Sequence, residues 1–318
     1  GITLASSLAG AVIVARSSLP AHWPRDELAV FAALAFAPVA YNYWHGQINP
    51  IVFLLLAVAF RQYVRGRQVS CGLILGLAAG IKVAPLLLAV LLLRRRWWRG
   101  SLAMLAATGL TFLAGLAMLG VGVTRHYLQT VFPTLNRGPG WIYNQSLGGV
   151  VARLGGHSVL SVDAPSLPIQ LAGLAAGAAL LTLTAWAVRP DRGRTGDRGM
   201  EFGLGVVAML LAGSLAWFPH FTHLLIPLFA CLGFGAARGW QQQRRVLIAA
   251  AATAVAFGLV APLAISMMNI HWIGAVSHTA MWWPFLQLTS IPALISVWLA
   301  VDMARSLRPL DRDTLTLT

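Results

Sequence analysis

Gly46-Gln-Ile-Asn-Pro50, an apolar run, Arg61-Gln-Tyr-Val-Arg-Gly-Arg67, a second apolar run over 71–93 interrupted once by Lys82, then Arg94-Arg-Arg96: the path of the chain turns on this stretch. Lys82 is the only lysine in the sequence, and no other charge falls between Cys71 and Leu93. A lone cation at that depth costs roughly 2.5–3.5 kcal/mol on insertion scales, and such residues face a cavity or a partner. The basic clusters on either side set the route. If both are cytoplasmic by the positive-inside rule, the run between them must enter and leave on one side. It then forms two half-helices of about 12 residues, each reaching about 18 Å at 1.5 Å per residue. Re-entrant backbone of this kind is tolerated only where protein or water covers it. Lys82 is therefore expected at the tip of a re-entrant helical hairpin, pointing into a functional cavity.

Composition agrees with a membrane setting. Hydrophobic residues make up 58% of the 318-residue chain and charged residues 10%. Several apolar runs approach the ~20 residues that span a bilayer, so the expected class is an all-α polytopic membrane protein. The net charge of +14 does not point to nucleic acid, because the arginines lie between apolar runs, where they orient helices. Cys71 and Cys231 both fall inside apolar runs and read as small core residues, not as a disulfide or metal pair.

Taken in order, the sequence predicts an outward crossing over 28–44 and a return over 51–60, then the Lys82 hairpin. Residues 101–123 cross outward to a long outer segment over 124–168, and 169–188 return. A further outward crossing over 200–217 and a return over 224–237 follow, then 246–265 and 285–304. This path puts 19 of the 22 arginines inside and seven of the eight histidines outside. The arginines guided the assignment but the histidines did not, so their segregation supports it in part independently. Chemistry is expected on the outer face.

Four motifs carry that chemistry. Asn49 reads as a helix N-cap with Pro50 at the first helical position, while Gln47 is left to hydrogen-bond a sugar hydroxyl. Lys82 is a point-charge partner for a lipid phosphate. Asn144-Gln145-Ser146 precedes a short apolar helix over 147–154. Asn144 or Ser146 can cap that helix, and Arg153 on it is a second phosphate candidate. His220 and His223 follow Trp217-Phe-Pro219; with no carboxylate or cysteine beside them they favour hydrogen bonding to sugar or phosphate over metal. Trp141, Trp272, Trp282 and Trp283 read as an interfacial aromatic belt. No metal site and no cofactor is expected.

Together these motifs resemble glycosyltransferase family 87 (GT87, the DUF2029 group), polyprenyl-phosphate-mannose-dependent mannosyltransferases of actinobacteria. The carrying residues are Gly46-Gln47-Ile48-Asn49, the Gly72–Pro85 run with Lys82, Asn144-Gln145-Ser146-Leu147 with Arg153, and Trp217-Phe-Pro-His220-Phe-Thr-His223. The resemblance implies a GT-C-like helical bundle with an outer-face active-site cavity in the cytoplasmic membrane. It also implies transfer of mannose from a polyprenyl phosphate donor to a glycolipid or glycan acceptor of the cell envelope. A transporter or flippase for a lipid-linked sugar would use similar groups without chemistry. The substrate-binding set expected is Lys82, Gln47, Asn49, Asn144, Gln145, Arg153, His220 and His223.

A transferase also needs a base for the acceptor proton. Of the nine acidic residues, only Asp163 falls outside on the predicted path. The sequence thus reads as one transmembrane glycosyltransferase domain over 1–318. Its first helix and first outer loop, with the catalytic carboxylate that the GT-C resemblance implies, are expected upstream of Gly1. Asp163 is the fallback base.

Overall fold

A computed structural model describes residues 1–157, 162–190, 195–260 and 290–307; the expected outer loop bearing Trp272, Trp282 and Trp283 lies outside them. Helices account for the regular structure of the described residues, which contain no strand. In chain order these are α1 (Ile2–Ser18), α2 (Arg25–Ala35), α3 (Ala37–Trp44), α4 (Asn49–Val64) and α5 (Gln68–Ile81). A 3₁₀ turn (Ala84–Leu88), α6 (Ala89–Arg94), α7 (Trp98–His126), a π turn (Tyr127–Val131) and α8 (Phe132–Leu135) follow. Then come α9 (Leu147–Leu154), α10 (Leu167–Ala187), α11 (Thr195–Ala212) and a 3₁₀ helix (Phe218–Leu224). The described chain closes with α12 (Leu225–Arg238), α13 (Arg244–Val255), a second π turn (Ala256–Val260) and α14 (Ile291–Leu307). Among the described residues, three stretches are long and apolar enough to cross a membrane: Trp98–Thr134, Leu167–Ala187 and Phe218–Arg238. The third is largely buried among its neighbours, whereas the first two present most of their apolar surface outward.

Two boundaries differ from the sequence reading. The expected single crossing over 28–44 is split at Phe36, whose backbone is extended, into α2 and α3. Pro38 is the reason: it lacks an N–H for the carbonyl of Leu34, and its ring collides with that carbonyl in a continuous helix. The outward helix expected to stop at Val123 breaks at Gly120, close to that point, and a second helical piece then continues through the π turn into α8 where the outer segment was expected. No proline falls between Thr124 and Phe132 to end it. The break falls at Gly120, with φ 81° and ψ 164°, a conformation that glycine adopts without steric cost.

The Lys82 segment reverses the chain. α5 stops at Lys82, whose backbone is extended (φ −140°, ψ 133°), and Pro85 opens the 3₁₀ turn. α5 and α7 run parallel and in close contact. Gly72 meets the Gly100 backbone, Gly76 meets Met104 and Ala107, and Gly80 meets Thr111, so the contacts advance together along both helices. A Cβ on Gly72 would overlap the Gly100 carbonyl; a stripe of small residues is what lets two helices approach this closely. Two parallel helices that start side by side require the chain to travel back between them. Arg95 marks the end of that return. It is buried, donates to Glu201 Oε2 (2.7 Å) and to Tyr63 Oη (3.0 Å), and Tyr63 donates to Glu201 (3.0 Å). Tyr63 ends α4 just before α5 begins, so both feet of the reversal stand at one end of the bundle.

A buried ion pair adds little net stability over an apolar replacement, but removing one partner strands the other charge. Glu201→Leu should therefore destabilise the protein by roughly 3–5 kcal/mol, with the Arg95→Met/Glu201→Leu double variant recovering most of the loss. Thermal unfolding in detergent reads this directly. A Glu201→Leu protein that melts like the parent would remove the ion pair from the account.

Candidate functional site

At the far end of α4 from Tyr63, about 21 Å away at 1.5 Å per residue, three motifs distant in sequence converge. Lys82 Nζ donates to Asn49 Oδ1 (2.5 Å) and lies 2.6 Å from His220 Nε2. Asn49 is fully buried, while Lys82 and His220 are half-buried. Among the described residues Lys82 has no carboxylate within ion-pairing distance. An ammonium that donates to an amide oxygen and lies beside an imidazole is not neutralised. That leaves the place with a positive field for an incoming anion.

The site is poised in a second way. His220 Nδ1 accepts the backbone N–H of Trp217 (3.1 Å). A neutral imidazole carries one hydrogen and offers one acceptor nitrogen, so the ring can accept from Trp217 or from Lys82 but not from both.

The amides are fixed from behind. Asn49 Nδ2 donates to Asn42 Oδ1 (3.0 Å), and Asn42 Nδ2 lies within hydrogen-bonding distance of Pro38 O (2.7 Å), Pro219 O (2.8 Å) and Thr222 Oγ1 (2.8 Å). The N-cap reading of Asn49 is overturned. Helix α4 begins at Asn49 itself, its N-cap position is Ile48, and no side chain caps it. The carboxamide is used across the bundle instead. Asn42 went unremarked in the sequence, where the only signal was an amide inside the aromatic run Tyr41-Asn-Tyr-Trp44.

The remaining expected residues divide. His223 is buried and stacks on Phe53 (6.1 Å between rings), apart from the Lys82 contacts. Gln47 is half-buried beside the turn at Gly46, and Asp163 is exposed just before α10. Asn144 is fully buried: its Oδ1 accepts from Ser146 N–H (3.2 Å) and Ala216 N–H (3.0 Å), and its Nδ2 donates to Pro139 O (2.9 Å) and Ser214 O (3.1 Å). Gln145 turns its Nε2 back onto Ile142 O (2.8 Å). Ser146 caps α9 as expected, accepting from Gly149 N–H (3.1 Å). This triplet thus clamps the 139–147 loop onto the 214–217 segment that carries Trp217 into the site. Arg153, also buried, donates to the carbonyls of Gly140 (3.3 Å), Trp141 (3.2 Å) and Asn144 (2.8 Å) and to Ser290 Oγ (2.9 Å). Burial pulls its guanidinium down to about 10, which still leaves it charged at neutral pH.

The model of Glycosyltransferase family 87 matches residues 1–219 of the chain. Two relatives come from Mycolicibacterium smegmatis. One is a polyprenol-phosphate-mannose-dependent alpha-(1-2)-phosphatidylinositol mannoside mannosyltransferase, 28% identical over 85% of this chain and 61% of its own length. The other, a polyprenol-phosphate-mannose-dependent alpha-(1-2)-phosphatidylinositol pentamannoside mannosyltransferase, is 28% identical over 88% of this chain and 63% of its own. A Mycobacterium tuberculosis protein of the latter description is 33% identical over 65% of this chain and 45% of its own length. The chain thus spans less than two thirds of the length of these relatives. No solved structure matches.

Asn144→Leu removes four hydrogen bonds at once and should loosen the 139–147 loop, leaving only Ser146 Oγ–H to Ser214 O (3.1 Å) and Gln145 N–H to Ala216 O (2.8 Å) to hold it to that segment. Limited proteolysis is expected to cut the variant within that loop under conditions that leave the parent intact, and equal resistance would contradict the clamp.

Proposed function

The chain belongs to glycosyltransferase family 87, and from that footing we propose that it transfers mannose from a polyprenyl phosphate donor to a glycolipid acceptor. The observation that carries the reading is the Lys82 ammonium, bonded to Asn49 beside His220 with no carboxylate in ion-pairing distance among the described residues. As the bond between the sugar and the phosphate breaks, negative charge builds on the leaving phosphate. A fixed cation beside it gains interaction energy in the transition state that it lacks in the ground state, which is the condition for raising kcat. Asn49 accepts from the ammonium and holds it in place beside His220, and positioning is itself a large part of such catalysis. Gln47, beside the same turn, is assigned to a sugar hydroxyl. Asn144, Gln145 and Arg153 are assigned to the loop that presents Trp217, and His223 to packing behind His220. The relatives' names make mannosylated phosphatidylinositols the first acceptors to assay.

The membrane placement follows the same reading. Arg61–Arg67 and Arg94–Arg99 are assigned to the cytoplasmic side, and Lys82 to the tip of a re-entrant hairpin that opens toward the extracytoplasmic side. The parallel packing of α5 and α7 and the return of Arg95 to Tyr63 support it. Single cysteines placed in either arginine loop should be shielded from a membrane-impermeant thiol reagent added outside; labelling of one of them would replace the hairpin with a through-going helix.

In the full-length protein, Lys82→Ala should lower mannose transfer by at least about 10²-fold, the scale seen when one group that stabilises developing charge is removed. The melting temperature should hold. Near-normal turnover by Lys82→Met would refute the assignment. Movement of the donor across the membrane without any glycosidic product would favour a flippase.

A further inference from the structure

The Lys82 contacts leave one residue without a role in the reading above, although the others hang from it. Asn42 sits on α3, fully buried; its side chain bonds to neither Lys82 nor Gln47, while its backbone carbonyl accepts from Gln47 N–H (3.1 Å). We propose that Asn42 is the positioning residue that aims Lys82 at the donor's phosphate, acting through Asn49. The proposal rests on the assignment of Lys82 to the phosphate.

The argument is one of hydrogen-bond direction. The carbonyls of Pro38 and Pro219 can only accept, so the end of the Asn42 amide that faces them must be Nδ2. The opposite orientation would set Oδ1 against two carbonyl oxygens in a buried place. With that end fixed, Asn42 presents Oδ1 to Asn49, which must answer with its own Nδ2. Asn49 in turn is left with Oδ1 toward Lys82, the only arrangement in which the ammonium finds an acceptor there. Two proline carbonyls thus set, through two amides, the polarity of the contact that holds the cation. Were Asn49 to flip, its NH₂ would face the ammonium, donor against donor, and Lys82 would be pushed off its line.

The same residue ties the parts together. Asn42 reaches from α3 to the 3₁₀ helix over Phe218–Leu224 through Pro219 O and Thr222 Oγ1, and that helix carries His220, the second partner of Lys82. Both contacts of the ammonium therefore trace back to one buried amide.

The test uses the full-length protein in detergent micelles with undecaprenyl phosphate as the probe. Lysine is labelled with ¹⁵N, and the Lys82 Nζ signal is identified as the one missing from Lys82→Met. Asn42→Leu is expected to weaken undecaprenyl phosphate binding about tenfold, the scale of one hydrogen bond to a charged group. It should also shift the Lys82 signal as Asn49→Leu does, and change binding no further in a Lys82→Met background. If Asn42→Leu does not fold, Asn42→Ser carries the same expectations. A Lys82 signal unmoved by loss of the Asn42 amide overturns the proposal, as does an equal loss of affinity with and without Lys82. If the parent and Lys82→Met bind the probe equally, the phosphate assignment itself fails and takes the aim of this proposal with it; the Lys82 signal then still reports whether Asn42 sets the lysine's contacts.

Discussion

Arg95, Glu201 and Tyr63 meet in a fully enclosed cluster, and the course of the chain at the opposite end depends on it. The arginine is bonded to the carboxylate and to the phenol, and its guanidinium also lies over the Trp97 ring, 6.0 Å from the centroid. Each charge would be expensive to bury alone. The requirement that they meet brings the end of α6, the end of α4 and the first turns of α11 to one place. Once both feet of the 68–95 segment are held there, α5 can only rise, turn and return, and the turn falls at Lys82. The glycine stripe sets how closely α5 lies on α7, but the buried pair sets where the segment ends.

Much of this architecture was legible in the sequence because charge is scarce in it. One lysine in an apolar run between two arginine clusters is a strong statement, and it marked the reversal and the residue that meets Asn49 and His220. His220 was legible as well, through its place beside Pro219. The pairing with His223 was not a unit, however: three residues along a 3₁₀ helix put the two rings on the same side, yet one reaches Lys82 and the other stacks on Phe53. Glu201 drew no notice because a carboxylate near a run of arginines reads as a surface charge, and only the packing shows it enclosed.

Amides were the least readable residues. Asn49, Asn144 and Asn42 are each buried and each hydrogen-bonded to groups far along the chain, up to Thr222 in the case of Asn42. An asparagine's local options, capping a helix or forming a turn, are visible in sequence; its long-range options are not. The cap assigned to Asn49 was chemically sound, but a neighbour 33 positions away offered a charged donor instead. For Asn144 the reverse held: a residue expected to meet substrate is consumed by backbone, because the loop it sits in has no regular structure to satisfy its own carbonyls and N–H groups.

The span between Arg95 and Glu201 also orders events during synthesis. Glu201 emerges about 100 residues after Arg95, a delay of roughly 5–20 s at ordinary elongation rates. Through that interval the arginine has no counter-charge to enter the bundle with, and it waits in water at the mouth of the segment that will bear Lys82. Helix α7, whose glycine-lined partner α5 is already made, can dock during the wait; the foot of the hairpin cannot be sealed until α11 arrives. The nascent chain therefore keeps this region open until α11 arrives, and the lysine reaches His220 only after most of the bundle around it has been laid down.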